Sequence, residues 1–130
     1  EHYSVGTKLF TKSFNNENYS VAICLDMVAD MDPKFKIEYF SYIQAQNHVF
    51  EIWDLANSLG FNEFSYEITQ PIYDDHRAFY LATGIPSIDI IDFEYPYWHT
   101  IEDTPNKCSS NTLEIVGTVV TEYLYRMDKK

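Results

Sequence analysis

The pattern of apolar and polar positions predicts strands and helices that alternate along the chain. The predicted strands are rich in β-branched and aromatic residues and cover residues 19–26, 36–42, 64–68 and 86–91. The predicted helices carry apolar residues at helical spacing and cover residues 3–14, 47–59, 75–83 and 111–127. Alternation of this kind favours an α/β layer fold with a mostly parallel sheet flanked by helices.

Capping signals predict where several helices begin and end. Asn47 is a candidate N-cap, and Gly60 and Gly84 are positioned to end the second and third helices in a left-handed conformation. Asn111 and Glu114 form a predicted capping box at the start of the last helix. The apolar face of that helix is predicted to contain Leu113, Val116, Val120, Tyr123, Leu124 and Met127.

Composition limits the classes of function. The 130 residues suit one domain and are predicted to form a single segment, and nine basic against twenty acidic side chains give a net charge of −11. Such acidity disfavours nucleic-acid binding, and four isolated glycines cannot form a phosphate-binding loop. No apolar run is long enough to predict a membrane span, and two cysteines are too few for a disulfide scaffold.

Acidic and histidine residues follow three of the predicted strands. Asp26 ends the first strand, Asp74 begins the third helix, Asp92 ends the last strand, and His99 lies in the loop beyond it. Ligands of open α/β sheets bind beyond the carboxyl ends of the strands, and imidazole with carboxylates suits zinc. Acids in these positions also cap helices or stay solvated, so spacing alone leaves a metal site and ordinary caps as alternatives.

Several other polar residues have a simpler interpretation. Asp30 and Asp32 are assigned to a solvated turn, and His2 and His48 to the surface. Cys24 lies in an apolar stretch and is interpreted as a small buried hydrophobic residue rather than a reactive thiol. The chain also lacks a G-x-S-x-G nucleophile elbow.

Four short motifs follow one another along the chain. They are Leu25-Asp26-Met27-Val28, Asp74-Asp75-His76 with Phe79, Gly84-Ile85-Pro86-Ser87-Ile88-Asp89-Ile90-Ile91, and Tyr97-Trp98-His99-Thr100 followed by Asp103-Thr104. Their order and spacing, and the closing helix, resemble the second half of the zinc-dependent aminopeptidase and glutaminyl cyclase superfamily. The resemblance implies an incomplete form of the three-layer zinc-exopeptidase sandwich.

The resemblance also implies zinc as cofactor and assigns two metal positions. His99 matches a zinc-ligating histidine of the superfamily. Asp26 matches the aspartate that binds the second zinc in two-metal aminopeptidases, and a hydrogen-bonding acid in the cyclases. One or two zinc ions are expected in the complete enzyme.

Further site roles follow from the same resemblance. Asp74 and Asp75 are the candidate catalytic acids, since Asp74 matches an acid of the cyclase proton network, and Asp75 and His76 match an acid–histidine pair that starts a helix. Trp98 matches the aromatic wall of the cyclase substrate pocket. The remaining two residues, Thr100 and Asp103, would orient His99 or make loop hydrogen bonds.

The superfamily's His-x-Asp motif, bridging aspartate and acidic pair would lie before Glu1. We therefore expect the C-terminal part of a secreted or periplasmic enzyme that acts at peptide N-termini, by aminopeptidase hydrolysis or by cyclisation of N-terminal glutamine. Residues 1–130 alone are expected to be inactive, and the missing half or another chain would cover an apolar sheet edge. The alternative is an interaction module that keeps the fold without the chemistry.

Overall fold

The computed structural model describes residues 3–15 and 18–129, so His2 lies outside the described part of the chain. Strands and helices alternate for most of that length. The strands are β1 (Ala22–Asp26), β2 (Phe35–Ile37), β3 (Phe64–Ile68) and β4 (Ser87–Ile91). The helices are α1 (Val5–Phe10), α2 (Tyr39–Ser58), α3 (Asp75–Thr83) and α4 (Ser110–Asp128). None of the helices in these ranges is both long and apolar enough to cross a membrane.

All the described strand pairs are parallel, which agrees with the predicted α/β fold. β1 pairs with β4 in a register that runs from Ala22 opposite Ser87 to Asp26 opposite Ile91. β2 pairs with β3, with Phe35 opposite Phe64. The residue before β2 lies beside the residue after β4, since the Lys34 amide donates to the Asp92 carboxylate at 3.3 Å.

The hydrophobic core lies between α2, the strands and α4. Trp53 of α2 is fully buried at its centre, and the indole Nε1 donates to the Ser65 carbonyl at 3.0 Å. Phe35 and Phe64 pack against each other with ring centroids 5.1 Å apart. The α4 residues Ile115, Val116, Val119 and Tyr123 close the core from the other side. This core holds β4, and with it the polar residues of that strand, in a fixed position.

The predicted strand over residues 36–42 is wrong beyond Ile37. Glu38 is the N-cap of α2, and its carboxylate accepts hydrogen bonds from the amides of Phe40 and Ser41. A short run of aromatic residues is compatible with either a strand or a helix, and here the N-cap hydrogen bonds of Glu38 stabilise the helix. Asn47 is therefore not a cap, although non-helical dihedral angles at Ala45 (φ −147°, ψ 34°) kink α2 close to the predicted start.

The start of the last helix is also corrected. Ser109, not Asn111, is the N-cap of α4, and its hydroxyl accepts from the Thr112 amide. The buried face of α4 also differs from the predicted apolar face, because Leu113 and Leu124 are each 50% exposed. The left-handed conformations predicted at Gly60 (φ 87°) and Gly84 (φ 73°) are confirmed.

The first two elements are shorter than their patterns predict. α1 covers Val5–Phe10 instead of residues 3–14, and β1 begins at Ala22 instead of residue 19. Tyr3 and Tyr19 in these outer segments are 61% and 59% exposed, so propensity alone did not extend the elements.

Candidate functional site

Two carboxyl groups meet where β1 ends and α3 begins. Asp26 is the last residue of β1, and Met27 (φ 53°) turns the chain away from the strand. Asp74 is the N-cap of α3 and accepts from the Asp75 amide at 2.7 Å. The Asp26 carboxyl group faces that of Asp74 across a side-chain hydrogen bond. Burial, the charge of Asp74 and this hydrogen bond raise the pKa of Asp26.

Asp75 faces a different neighbour from Asp74. Its carboxylate is exposed and accepts a hydrogen bond from the Thr7 hydroxyl at 2.7 Å. This contact joins α1 to the N-terminus of α3. In the structure, the side chain of Asp75 therefore has a positioning contact between two helices.

His76 is buried between two carboxylates, neither of which the sequence predicts. Its Nε2 lies 2.9 Å from Glu38 Oε2, and its Nδ1 lies 3.5 Å from Asp89 Oδ2. Glu38 also accepts from the Ile72 amide at 2.8 Å and from the Ser41 hydroxyl at 2.9 Å. The sequence signal for Asp89 is a single acid among apolar residues in the middle of a strand, whereas Glu38 was hidden within the wrongly extended strand.

The two carboxylates that flank His76 have opposite pKa shifts. Burial raises the pKa of Glu38, but hydrogen bonds from His76 and from three backbone amides outweigh it, and the pKa lies below its ordinary value. Burial and the charges of Asp74, Asp26 and Glu38 raise the pKa of Asp89 to about 8. Glu38 is therefore the ionised partner of His76, and Asp89 retains a proton near neutral pH.

Cys24 lies beside these acids instead of in a purely apolar environment. It is opposite Asp89 in the β1–β4 register and is half-buried. Burial, and then the charge of Asp89, raises the pKa of its thiol well above the ordinary value. The thiol therefore stays protonated, which disfavours a nucleophilic role.

The loop after β4 presents Trp98 and His99 to solvent. His99 has a left-handed backbone (φ 57°), and its ring stacks on Trp98 with centroids 4.0 Å apart. Trp98 also packs against Phe93 at 5.2 Å and remains 43% exposed. A stacked, exposed imidazole beside an exposed indole is accessible to a ligand that approaches this edge of the sheet.

The side chains expected to orient His99 bond elsewhere. The Thr100 hydroxyl donates to the Tyr97 carbonyl at 2.7 Å, and the Asp103 carboxylate accepts from the Tyr95 hydroxyl at 2.8 Å. These are the loop hydrogen bonds that the sequence left as the alternative. They stabilise the loop that carries His99.

Asp30 is not confined to a solvated turn. It is half-buried, forms an isolated β-bridge with Cys108, and shares a side-chain hydrogen bond with Asp92. Asp92 is 1% exposed, and burial raises its pKa to about 6 although the amides of Lys34 and Glu94 donate to it. This pair belongs to the junction of β2 and β4.

The predicted metal residues fit zinc in type but not in number. Carboxylate and imidazole are both zinc ligands, and a catalytic zinc takes about three protein donors. Within residues 3–15 and 18–129, neither Asp26 nor His99 belongs to a group of three potential ligands close enough to hold one ion. Asp26 and His99 are therefore two potential donors, and the described residues complete no group of three such donors around either of them.

One group of described residues does have three potential ligand atoms close enough together to hold one ion. Cys24, Asp74 and Asp89 each offer a ligand atom, and these atoms lie within 4.8 Å of one another. The sequence did not predict this group, because Cys24 and Asp89 lie on different strands and Asp74 on a helix.

The chain matches known proteins in sequence and in fold. The model of the family described as Peptidase family M28 matches residues 1–124. The solved structure of a Porphyromonas gingivalis glutaminyl cyclase is similar, with a TM-score of 0.88 and 29% identity over 95% of this chain and 48% of that chain. No curated protein matches the chain closely enough to count as a relative.

Other solved structures extend the likeness to peptidases. A leucine aminopeptidase precursor from Bacteroides thetaiotaomicron has a TM-score of 0.87 and 31% identity, over 92% of this chain and 43% of that chain. A Zn-dependent exopeptidase from Parabacteroides distasonis has a TM-score of 0.86 and 32% identity, over 92% of this chain and 44% of that chain. The chain therefore spans about half the length of the solved structures it matches.

Proposed function

Because this chain belongs to peptidase family M28, we propose that it is the C-terminal part of a zinc-dependent enzyme that acts on the N-terminal residue of peptides. The observation that carries the proposal is the parallel pairing of β1 with β4. Asp26 is the last residue of β1, and the loop of Trp98 and His99 follows the adjacent strand β4. Ligands of open α/β sheets bind beyond these carboxyl ends, which supports a site there.

We assign roles from this arrangement. His99 is the donor that this chain contributes to the metal centre, and Asp26 is a further donor only if a second zinc ion is bound. Zinc, when bound, supplies Lewis acidity towards a carbonyl of the substrate's first residue. Trp98 offers an exposed aromatic surface for that residue. The carboxyl pair Asp26–Asp74 lies next to the site and attracts a positively charged α-amino group.

Of the two activities among the similar structures, we propose cyclisation of N-terminal glutamine as the better fit. A carboxyl group whose pKa is raised holds its proton more tightly and is less available to a second zinc ion, and burial and Asp74 raise the pKa of Asp26. This supports a one-metal centre. Aminopeptidase hydrolysis is the second candidate, supported by the similar leucine aminopeptidase precursor.

The test uses the longest natural form of the protein that contains these residues. His99→Ala should lower bound zinc by about one equivalent per chain, because it removes a donor of the metal centre. His48→Ala is the matched control, since its imidazole lies against Tyr123, with Nδ1 2.6 Å from the hydroxyl. Undiminished zinc in His99→Ala would refute the ligand assignment.

The same preparation distinguishes the activities. Turnover of an N-terminal glutamine peptide supports the cyclase, and release of an N-terminal leucine supports the aminopeptidase. Absence of zinc from the wild-type protein supports the interaction module instead. Residues 1–130 alone are proposed to be inactive in both assays, because their two donors do not complete a catalytic zinc site.

A further inference from the structure

We propose that Cys24, Asp74 and Asp89 form a second cation site, inside the sheet–helix layer, for a thiophilic divalent ion such as zinc. The site shares Asp74 with the carboxyl pair beside the proposed catalytic centre, but Cys24 and Asp89 are not donors of that centre.

The first support is the geometry of three donors from separate elements. The β1–β4 register places Cys24 opposite Asp89, and Asp74 reaches both from the N-terminus of α3. Their ligand atoms lie within 4.8 Å of one another. Donors on one tetrahedral zinc are about 3.3–3.8 Å apart for N, O and S ligands at about 2.0–2.3 Å from the metal, so small side-chain adjustments suffice.

The second support is that Asp89 lacks the hydrogen bonds that a buried carboxyl group needs. Asp89 is 0% exposed, and neither of its oxygens has a hydrogen-bond partner of normal geometry, although the Cys24 thiol is next to it. Buried polar atoms are nearly always satisfied by protein, water or an ion. An ion between Asp89, Cys24 and Asp74 would satisfy these oxygens.

His76 lies beside Asp89, at the edge of this group. Its Nε2 faces Glu38 at 2.9 Å, which leaves Nδ1 as the acceptor nitrogen, and Nδ1 has no hydrogen-bond partner. The distance from Nδ1 to Asp89 Oδ2 is 3.5 Å, as expected for two donors that bind one ion. Metal-binding histidines usually donate their other N–H to a carboxylate, and Glu38 is the carboxylate in that position.

Charge also favours a cation. The groups around the site are the carboxyls of Asp26, Asp75 and Glu38, in addition to the donors themselves. A dication offsets this concentration of negative charge, and on binding the thiol proton of Cys24 leaves to solvent. The resulting centre would join β1, β4 and α3 through one ion.

The test is a Cd²⁺ titration of the longest natural form of the protein, carried out in a His99→Ala background. This background separates the result from the proposed catalytic zinc. We expect one equivalent of Cd²⁺ to produce the ultraviolet charge-transfer absorption of a cadmium–thiolate bond. Cys24→Ser should abolish that absorption, whereas Cys108→Ser, at the exposed second cysteine, should leave it unchanged.

Asp89→Asn provides an independent variant with nearly the same volume. It should weaken Cd²⁺ binding at least tenfold while circular dichroism shows a folded chain. The proposal is overturned if the absorption survives in Cys24→Ser, if it disappears only in Cys108→Ser, or if Asp89→Asn binds Cd²⁺ as tightly as its parent. Loss of zinc in His99→Ala with no thiolate signal would leave the proposed function intact and refute this site alone.

Discussion

At the scale of single residues, a carboxyl group buried at the end of β4 should make the stability of the protein depend on pH. The pKa of Asp92 is raised to about 6 from an ordinary value of 3.8, chiefly by burial. Between those values the folded state keeps a proton that the unfolded state releases. The free energy of unfolding therefore falls as pH rises through this range.

Asp92→Asn removes this titration. Between pH 4 and pH 6, this titration should lower the free energy of unfolding of the wild type by up to about 3 kcal/mol. We expect that decline to be absent from the variant. The measurement is urea unfolding at pH 4, 5, 6 and 7, with the exposed Asp32→Asn as control. An unchanged slope in Asp92→Asn would contradict the assignment.

At the scale of elements, the helix ends determine how α3 delivers Asp74 to the site. α3 begins at the Asp74 cap and ends at Gly84, whose φ of 73° allows the chain to reverse into β4. A Cβ at Gly84 would meet no atom within 4 Å, so any penalty there comes from the backbone conformation. The two ends together hold α3 against β4, which contains Asp89.

Gly84→Ala should lower the free energy of unfolding by about 1 kcal/mol, because L-residues are disfavoured in the left-handed region. Gly117→Ala is the matched control, for which we expect a change of the opposite sign in the free energy of unfolding. Gly117 lies on the exposed side of α4 with open space around it, so alanine should raise stability by up to about 1 kcal/mol. Denaturant unfolding of both variants measures these free energies. Equal changes in Gly84→Ala and Gly117→Ala would contradict the prediction.

At the scale of the whole molecule, the surface around α1 and β1 is unusually apolar. A groove of about 500 Å³ between these elements and α3 is lined by residues that include Phe10, Ile23 and Phe79. Phe10 is 57% exposed and Leu25 is 47% exposed. Among the described strands, β1 pairs on one side only, with β4. Apolar surface next to a strand edge favours association with other chains.

Residues 1–130 alone are therefore expected to self-associate as concentration rises. Phe10→Ser should weaken this association about tenfold or more, because burial of one phenylalanine contributes about 1.5–3 kcal/mol. Ile101→Ser is the control, since Ile101 is 99% exposed in the loop after β4. Sedimentation velocity over a concentration series measures the effect, and a concentration-independent monomer would refute the prediction.

The sequence by itself determined the fold class, two complete elements and the family. Strand β3 and helix α3, with Gly84 as the stop, were predictable because local patterns and caps act within a few residues. Asp26, Asp74 and His99 stood out because they follow strands, and the short motifs around them indicated the family that the sequence comparison confirms. Their catalytic and metal-binding roles stay predictions.

Only the tertiary structure decided what lies around those residues. Glu38, His76 and Asp89 are far apart in sequence, and each looks ordinary in its own segment: a strand residue, a helix residue and an acid in an apolar run. Their contacts arise because α2, α3 and β4 pack on one another, which places three ionisable groups where water is excluded. Burial and mutual charge, which set the protonation of Glu38 and Asp89, are properties of that packing and not of any local pattern.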